Sequence, residues 1–448
     1  MMGYAAKLEF LKMTGIENKI KSAFSLLRGN SHAKRLFDTA MYMAASFIPM
    51  ILNLAINPLL AQNLSPSDYA IIGYYKSFNL LISPLIIFYL LHYYAKIYFE
   101  VDEGKREMVK ATIFKALILF SFALSLLSLA GLSLYCLYTI GSSNIPIYPY
   151  IAMTVLALPL TGIYQLRLLD YKMTRRASSY FSMSIINGVL QFLFNLIFVV
   201  YLKTGAFGAL LVPGIVNMIF FIIVIYLYRN LIHISFNWQE FRTMVKFCCP
   251  LTFAAMLGFF FNGFDRVLLA NVGDVEELGI YVVGVQIGAY ISVFQSSLSS
   301  TFQPDLYKAI VNRNFTQIVK IISLLVGCTV LVVLIFVVMA PYILGILTAN
   351  RYIYSTIYAR IAAISVIPSM LYYAISQATI VLGKTHITLL NKILSTVLSF
   401  FMFKSMIENY DFIGAAWGLS FALVICLIGN VFLLSVYYRH KIVNLITK

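Results

Sequence analysis

Three cations and one carboxylate lie inside long apolar runs of this 448-residue chain: Lys76, Asp265, Arg266 and Arg360. A charged side chain at bilayer depth costs about 2.5 to 3.5 kcal/mol on insertion scales, so such residues face a bundle interior or a water-filled cavity. Lys76, Arg266 and Arg360 each sit about five to seven residues inside one end of their run, a depth of roughly 7 to 10 Å at the helical rise. Lining a cavity, they would form one basic layer, and a basic layer in a low-dielectric setting binds an anion; the other reading is that these long side chains snorkel to the headgroups, Arg360 above all because it is nearest a boundary. Asp265 has two readings. It carries a coupling ion, or it balances the charge of Lys76 or Arg360 from another helix, since its neighbour Arg266 points to a different side of the same helix.

Polar stripes at spacings of three and four accompany these charges. One run offers Ser46, Asn53 and Asn57, the next Lys76, Asn79 and Ser83, a later one Thr252, Asn262 and Arg266, and its successor Gln286, Tyr290 and Ser297. A helix face turned to lipid would leave these groups without partners, so the stripes mark either a cavity wall or helix-to-helix hydrogen bonds. The candidate cavity residues are thus Arg266, Lys76, Arg360, Asn53, Asn57, Asn79, Asn262, Gln286 and Tyr290.

The elements that position them are membrane helices. The chain is 61% hydrophobic and 11% charged, with a mean hydropathy of +0.87, whereas a soluble domain carries about 25% charge. The apolar runs are continuous and long enough for helices, which excludes a barrel. The sequence predicts twelve spans, at 38–62, 69–95, 112–139, 149–168, 181–202, 208–229, 247–271, 277–302, 319–342, 355–382, 390–407 and 414–438. The net charge of +16 resides in short loops, so it sets topology and does not indicate nucleic acid. With the N-terminus inside, the inner segments hold 27 of the 33 basic residues, which puts both termini in the cytoplasm.

A shift of 209 residues superimposes the first six spans on the last six: Asn53 on Asn262, Asn57 on Arg266, Tyr98 on Tyr307, Pro159 on Pro368 and Gly205-Ala206 on Gly414-Ala415. Six spans are an even number, so both halves enter in the same orientation and an axis along the membrane normal relates them. The expected fold is all-α and polytopic, with two six-helix bundles around one cavity. Its parts are a basic segment 1–36, bundles 37–229 and 247–438, a linker 230–246 and a tail 439–448. Segment 1–36 reads equally as an interfacial amphipathic helix or a disordered tail.

The five cysteines lie in or beside apolar runs without ligand spacing, which predicts free thiols and no metal site. His92, His233 and His386 are isolated near inner ends. No phosphate-cradling glycine loop is present, so the chain does not hydrolyse ATP, and no cofactor is expected.

The residues Phe264-Asp265-Arg266-Val267-Leu268-Leu269-Ala270, then Glu277-Leu278-Gly279-Ile280-Tyr281, resemble the middle-span signature of bacterial polysaccharide exporters, the Wzx-type O-antigen flippases. Leu59 to Tyr69 resembles their first outer turn, and Gly414-Ala415-Ala416-Trp417-Gly418-Leu419 their last. Ala70 departs from the glycine usual in that first turn. The resemblance covers nearly all of the chain after residue 36 and implies the multidrug and polysaccharide exporter (MATE-like) fold in the bacterial inner membrane. It also implies a substrate of oligosaccharide linked to undecaprenyl pyrophosphate, with membrane lipids and polysaccharide polymerase machinery as partners. The basic layer suits the pyrophosphate and the polar stripes suit sugar hydroxyls, with the polyprenyl tail left in lipid at a gap between the bundles. A drug exporter of the same fold would favour acidic cavity residues; here cations in the spans outnumber carboxylates three to one. Lipid II flippases of this fold carry two further spans. A membrane glycosyltransferase or polymerase needs a long extramembrane loop for its acceptor, and every loop here is short. The sugars recognised and the coupling ion, proton or sodium, are not legible.

Overall fold

In the computed structural model, the described residues are 31–98, 100–139, 145–272, 274–381 and 385–446. Most of the basic segment 1–36 lies outside them. The described chain is helical, and eleven helices are long and apolar enough to cross a membrane. The last of these runs from Thr385 to Ile446 and is two spans, because Asp411 (φ 46°, ψ −129°) breaks it. The two arms fold back as a hairpin: the Asn391 amide donates to the Cys426 carbonyl at 2.9 Å, and Gly418 lies against the Phe403 ring. The count of twelve spans therefore holds, and residues expected as a tail from 439 continue the last helix.

Exposed Leu119, Leu127, Ile222, Leu331, Val338 and Phe401 clothe the outside, as hydrocarbon demands. Several spans are broken. The second bends where Phe88 and Tyr89 both take positive φ (54° and 51°), freeing the Ile86 carbonyl, which accepts from the Ser121 hydroxyl at 2.8 Å. Prolines free others. Pro159 has no N–H for the Val155 carbonyl four residues back, and the Ser125 hydroxyl donates to that carbonyl at 3.2 Å. The seventh span starts at Trp238, earlier than expected, and consists of Trp238–Met256, Phe259–Asn262 and Phe264–Leu269, interrupted at Gly258 and Gly263.

The halves meet along the second and eighth spans. A Cβ on Gly73 would lie 2.4 Å from Val282, and these two positions are 209 apart. The pseudo-twofold axis thus passes through this contact, where each span meets its own counterpart. Gly279 is required beside it, since a Cβ there would lie 1.7 Å from the Pro66 carbonyl.

One face of the bundle carries the turns at Ser65 and Asp274, and is called the turn face here. The other carries Lys105, Arg175, Arg242 and Arg313, and is called the basic face. At the turn face the halves are latched. The Arg351 guanidinium donates to the Ala61 and Gln62 carbonyls at 3.2 and 2.6 Å, and the Tyr352 hydroxyl to the Leu64 carbonyl at 2.7 Å. Burial pushes that hydroxyl up to about 12, so it remains a donor at neutral pH. Toward the basic face the second helix of the eighth span (Ile291–Val311) packs on the ninth and tenth spans, leaving Ser292, Ser296, Ser297, Ser300 and Thr301 exposed. The halves are thus bonded across the turn face, while toward the basic face the seventh span joins the N-terminal half, the Tyr93 hydroxyl donating to Glu240 at 2.7 Å.

Candidate functional site

Two polar lobes flank the crossing of the second and eighth spans, one of about 330 Å³ in the N-terminal half and one of about 340 Å³ in the C-terminal half. The first is lined by Asn53, Asn57, Lys76, Gln286 and Tyr290, the second by Asn262 and Arg266. The 209-residue shift maps Asn53, Asn57 and Lys76 of the first lobe onto Asn262, Arg266 and Val285 of the second, all of them lining residues. The repeat thus gives the two lobes three lining positions in common, filled by different side chains at two of them.

In the N-terminal lobe the Asn57 amide donates to the Tyr290 hydroxyl at 2.9 Å, joining the first span to the eighth. The Gln286 amide approaches the same hydroxyl at 3.4 Å. Gln191 and Asn195 of the fifth span also face this lobe, so five carboxamides surround one lysine. In the C-terminal lobe Arg266 donates to the Asn262 carbonyl one turn back at 3.2 Å, and its Nε has no partner. The helices that carry Lys76 and Arg266 pack together, since a Cβ on Gly263 would lie 3.3 Å from the Ser77 side chain. Neither ammonium nor guanidinium has an ion-pair partner among the described residues, and neither lobe is lined by a carboxylate.

Three expected participants lie elsewhere. Arg360 lines neither lobe; its Nε donates to the Val337 carbonyl of the ninth span at 2.9 Å. Pro341, four residues on, cannot supply that carbonyl with its helical N–H, so this guanidinium completes a broken ladder. Asn79 also lies outside both lobes, and its buried Oδ1 lacks a partner. Asp265 is fully buried and accepts from the Tyr281 hydroxyl at 2.6 Å. It does not pair with Lys76 or Arg360, its second oxygen has no partner, and it touches neither cavity.

Two charged features are absent from the sequence-based set. Lys392 of the eleventh span lines the C-terminal lobe beside Tyr372 and Cys426; its place near a run boundary hid it among loop cations. Near the basic face, buried Asp170 accepts from Lys110 (3.4 Å), Arg167 (3.1 Å), Tyr94 (3.1 Å) and Tyr228 (3.2 Å). The cluster ties the second, third, fourth and sixth spans together.

No cluster of His, Cys, Asp or Glu able to hold a metal is present among the described residues, and the five cysteines are free. The site can attract an anion and hydrogen-bond hydroxyls.

Helices arranged in this way define a known class of membrane protein. An inward-facing multidrug resistance MATE family transporter of the MOP superfamily matches with a TM-score of 0.66 at 14% identity, over 88% of this chain and 99% of that one. The lipid II flippase MurJ, in an inward closed conformation, also matches with a TM-score of 0.66, at 15% identity over 89% and 87%. A MATE protein in complex with MaD3S matches with a TM-score of 0.60 at 14% identity, over 94% and 98%. These likenesses share the fold. Residues 59–356 match the family model described as polysaccharide biosynthesis protein, and the chain belongs to that family. The matched stretch includes Lys76, Asp265, Arg266, Gln286 and Tyr290 but not Asn53, Asn57, Arg360 or Lys392. No curated protein sequence matches the chain.

Proposed function

We propose that the protein is a flippase that carries an oligosaccharide linked to undecaprenyl pyrophosphate across the bacterial inner membrane by alternating access. The observation that carries this reading is the pair Lys76 and Arg266, two cations on adjoining helices, one lining each lobe and neither with a carboxylate partner. Each costs about 2.5 to 3.5 kcal/mol to place in a span. A multivalent anion such as a pyrophosphate offsets that cost by accepting charge-assisted hydrogen bonds from both. Carboxamides donate and accept, as sugar hydroxyls do, so the amide-rich N-terminal lobe suits the glycan. Membership of a polysaccharide biosynthesis family supports a saccharide cargo, and MurJ is a flippase of lipid II on the same fold.

The basic face is the cytoplasmic one in this reading, because lysine and arginine are retained inside. Both termini are then cytoplasmic, on the side of the leaflet where the lipid-linked sugar is made. Polymerase machinery on the far side takes the product. Asp265, sealed away with Tyr281, belongs to charge balance near Arg266 in this account, with a coupling ion as the alternative role. The test is transport in proteoliposomes of a fluorescent, undecaprenyl-pyrophosphate-linked oligosaccharide. Full activity in an Arg266→Ala, Lys76→Ala double variant would refute the basic-layer reading. Sidedness is tested separately: a cysteine at Arg175 should escape an impermeant maleimide in intact cells, and labelling there would reverse the orientation.

A further inference from the structure

The C-terminal lobe has a cation at each end. Arg266 lies three residues before Leu269, where the last helix of the seventh span ends at the turn face, a depth of about 5 Å at 1.5 Å per residue. Lys392 lies seven residues after Thr385, where the eleventh span begins at the basic face, a depth of about 10 Å. In a hydrocarbon core of roughly 30 Å this leaves about 15 Å between their levels. The stretch between them is lined by Gln295, Ser365 and Ser369, with the Gln295 amide held on the Ser369 hydroxyl at 3.0 Å.

Packing fixes where Lys392 points. Its neighbour Asn391 is buried against the twelfth span, bonded to the Cys426 carbonyl and accepting from Ser395 at 3.3 Å. Gly429 permits this approach, since a Cβ there would lie 2.3 Å from the Asn391 Oδ1. One residue on is about 100° around the helix, which turns Lys392 into the lobe. There it has no ion-pair partner among the described residues, and the lobe lining contains no carboxylate.

The lobe also has a polar approach. Ser292 lines it, and Ser296 and Ser300 continue from it one turn at a time toward the basic face, all exposed. Their hydroxyls donate to Ala289, Val293 and Ser296 carbonyls, so each oxygen is left with acceptor capacity and can order water or meet a hydroxyl. The equivalent positions of the second span, 209 residues earlier, are Ser83, Ile87 and Leu91, so only the C-terminal half has such a track.

We infer that Lys392 is a further substrate-binding residue: the first of two stations for a diphosphate, which it receives from the basic face along the serine track and passes to Arg266 and Lys76. This rests on the flippase reading and deepens it by dividing the lobes. The C-terminal lobe carries the diphosphate, and the N-terminal lobe, with its five carboxamides, the glycan. Two stations suit translocation, because an anion held by one strong site would not leave it, whereas sites of moderate strength in series allow entry and release.

The test uses the full chain in nanodiscs and three probes of one hydrocarbon length: farnesyl diphosphate, farnesyl monophosphate and farnesol. Lys392→Gln should weaken farnesyl diphosphate binding about tenfold, as expected for one charge-assisted contact, and leave farnesol unchanged. Lys392→Arg should restore most of the affinity, which a purely structural role would not, and the thermal midpoint of both variants should equal that of the parent. Wild-type diphosphate affinity in Lys392→Gln, with weakened binding in Arg266→Gln and Lys76→Gln, overturns the Lys392 assignment and leaves the flippase reading standing. Equal loss for all three probes overturns it as well, because charge would not be what Lys392 supplies. Absence of any preference for diphosphate over farnesol in the parent protein overturns both.

Discussion

The turn-face latch sets how strongly the turn face rests closed. Opening the turn face must part the Tyr352 hydroxyl from the Leu64 carbonyl and Arg351 from the Ala61 and Gln62 carbonyls, so these bonds belong to one state alone. Leu64 is 1% exposed, and leaving its carbonyl without a donor costs about 1 to 3 kcal/mol. Arg351 is exposed, which reduces its charge-assisted bonds to about 1 kcal/mol together. A Tyr352→Phe, Arg351→Ala variant should therefore shift the equilibrium toward the turn-face-open state by about 2 to 4 kcal/mol, or roughly 30- to 900-fold. Spin labels at Asn63 and Tyr354, exposed or nearly so on opposite halves, read this by electron double resonance. The parent should show one short distance and the double variant an added longer one. An unchanged distance distribution in the correctly folded variant would refute the assignment of these bonds as a state-specific latch.

Other substitutions probe the rest of the frame. Gly279→Val places a side chain against the Pro66 carbonyl, 1.7 Å from the ideal Cβ position, so the second and eighth spans must part by more than 1 Å at ordinary contact distances; lowered yield and thermal stability should follow, against little change for Gly131→Val, where nothing lies within 4 Å. Asp170→Asn leaves Lys110 and Arg167 facing each other partly buried and should cost about 3 kcal/mol, read as a lower thermal midpoint. Arg266→Lys should impair transport more than Lys76→Arg, because a planar fork binds phosphate through two donors and an ammonium acts as a point charge. Tyr281→Phe removes the donor from a fully buried carboxylate and should destabilise by about 1 to 3 kcal/mol; an unchanged midpoint would mean Asp265 is already satisfied.

The twofold organisation was legible because membrane spans are long and the shift of 209 aligns turns, prolines and polar positions together. Asn53, Asn57, Lys76, Asn262, Arg266, Gln286 and Tyr290 were legible as polar residues at helical spacing, and all line the lobes. Arg360 followed the same rule and lines neither lobe, because its partner is a backbone carbonyl freed by Pro341 on another span; hydropathy carries no record of which helix is adjacent. Lys392 was hidden for a related reason. It stands near the end of its apolar run, yet the helix begins at Thr385, so the cation lies about one and a half turns deeper than the run suggests. The break at Phe88 and Tyr89 had no glycine to announce it, and the Ser121 contact that satisfies it comes from the third span. The interruptions of the seventh span do fall on Gly258 and Gly263, but glycine is common enough in membrane helices that it does not by itself mark a break.

The central claim is that a partnerless cation layer moves a pyrophosphate-linked glycan, and transport in proteoliposomes tests it most directly. The parent protein should deliver an undecaprenyl-pyrophosphate-linked oligosaccharide to the opposite leaflet. Arg266→Ala with Lys76→Ala should abolish delivery at equal protein level and fold, and Asn79→Ala, outside both lobes, should retain it. Parent-like delivery by the double variant would contradict the account.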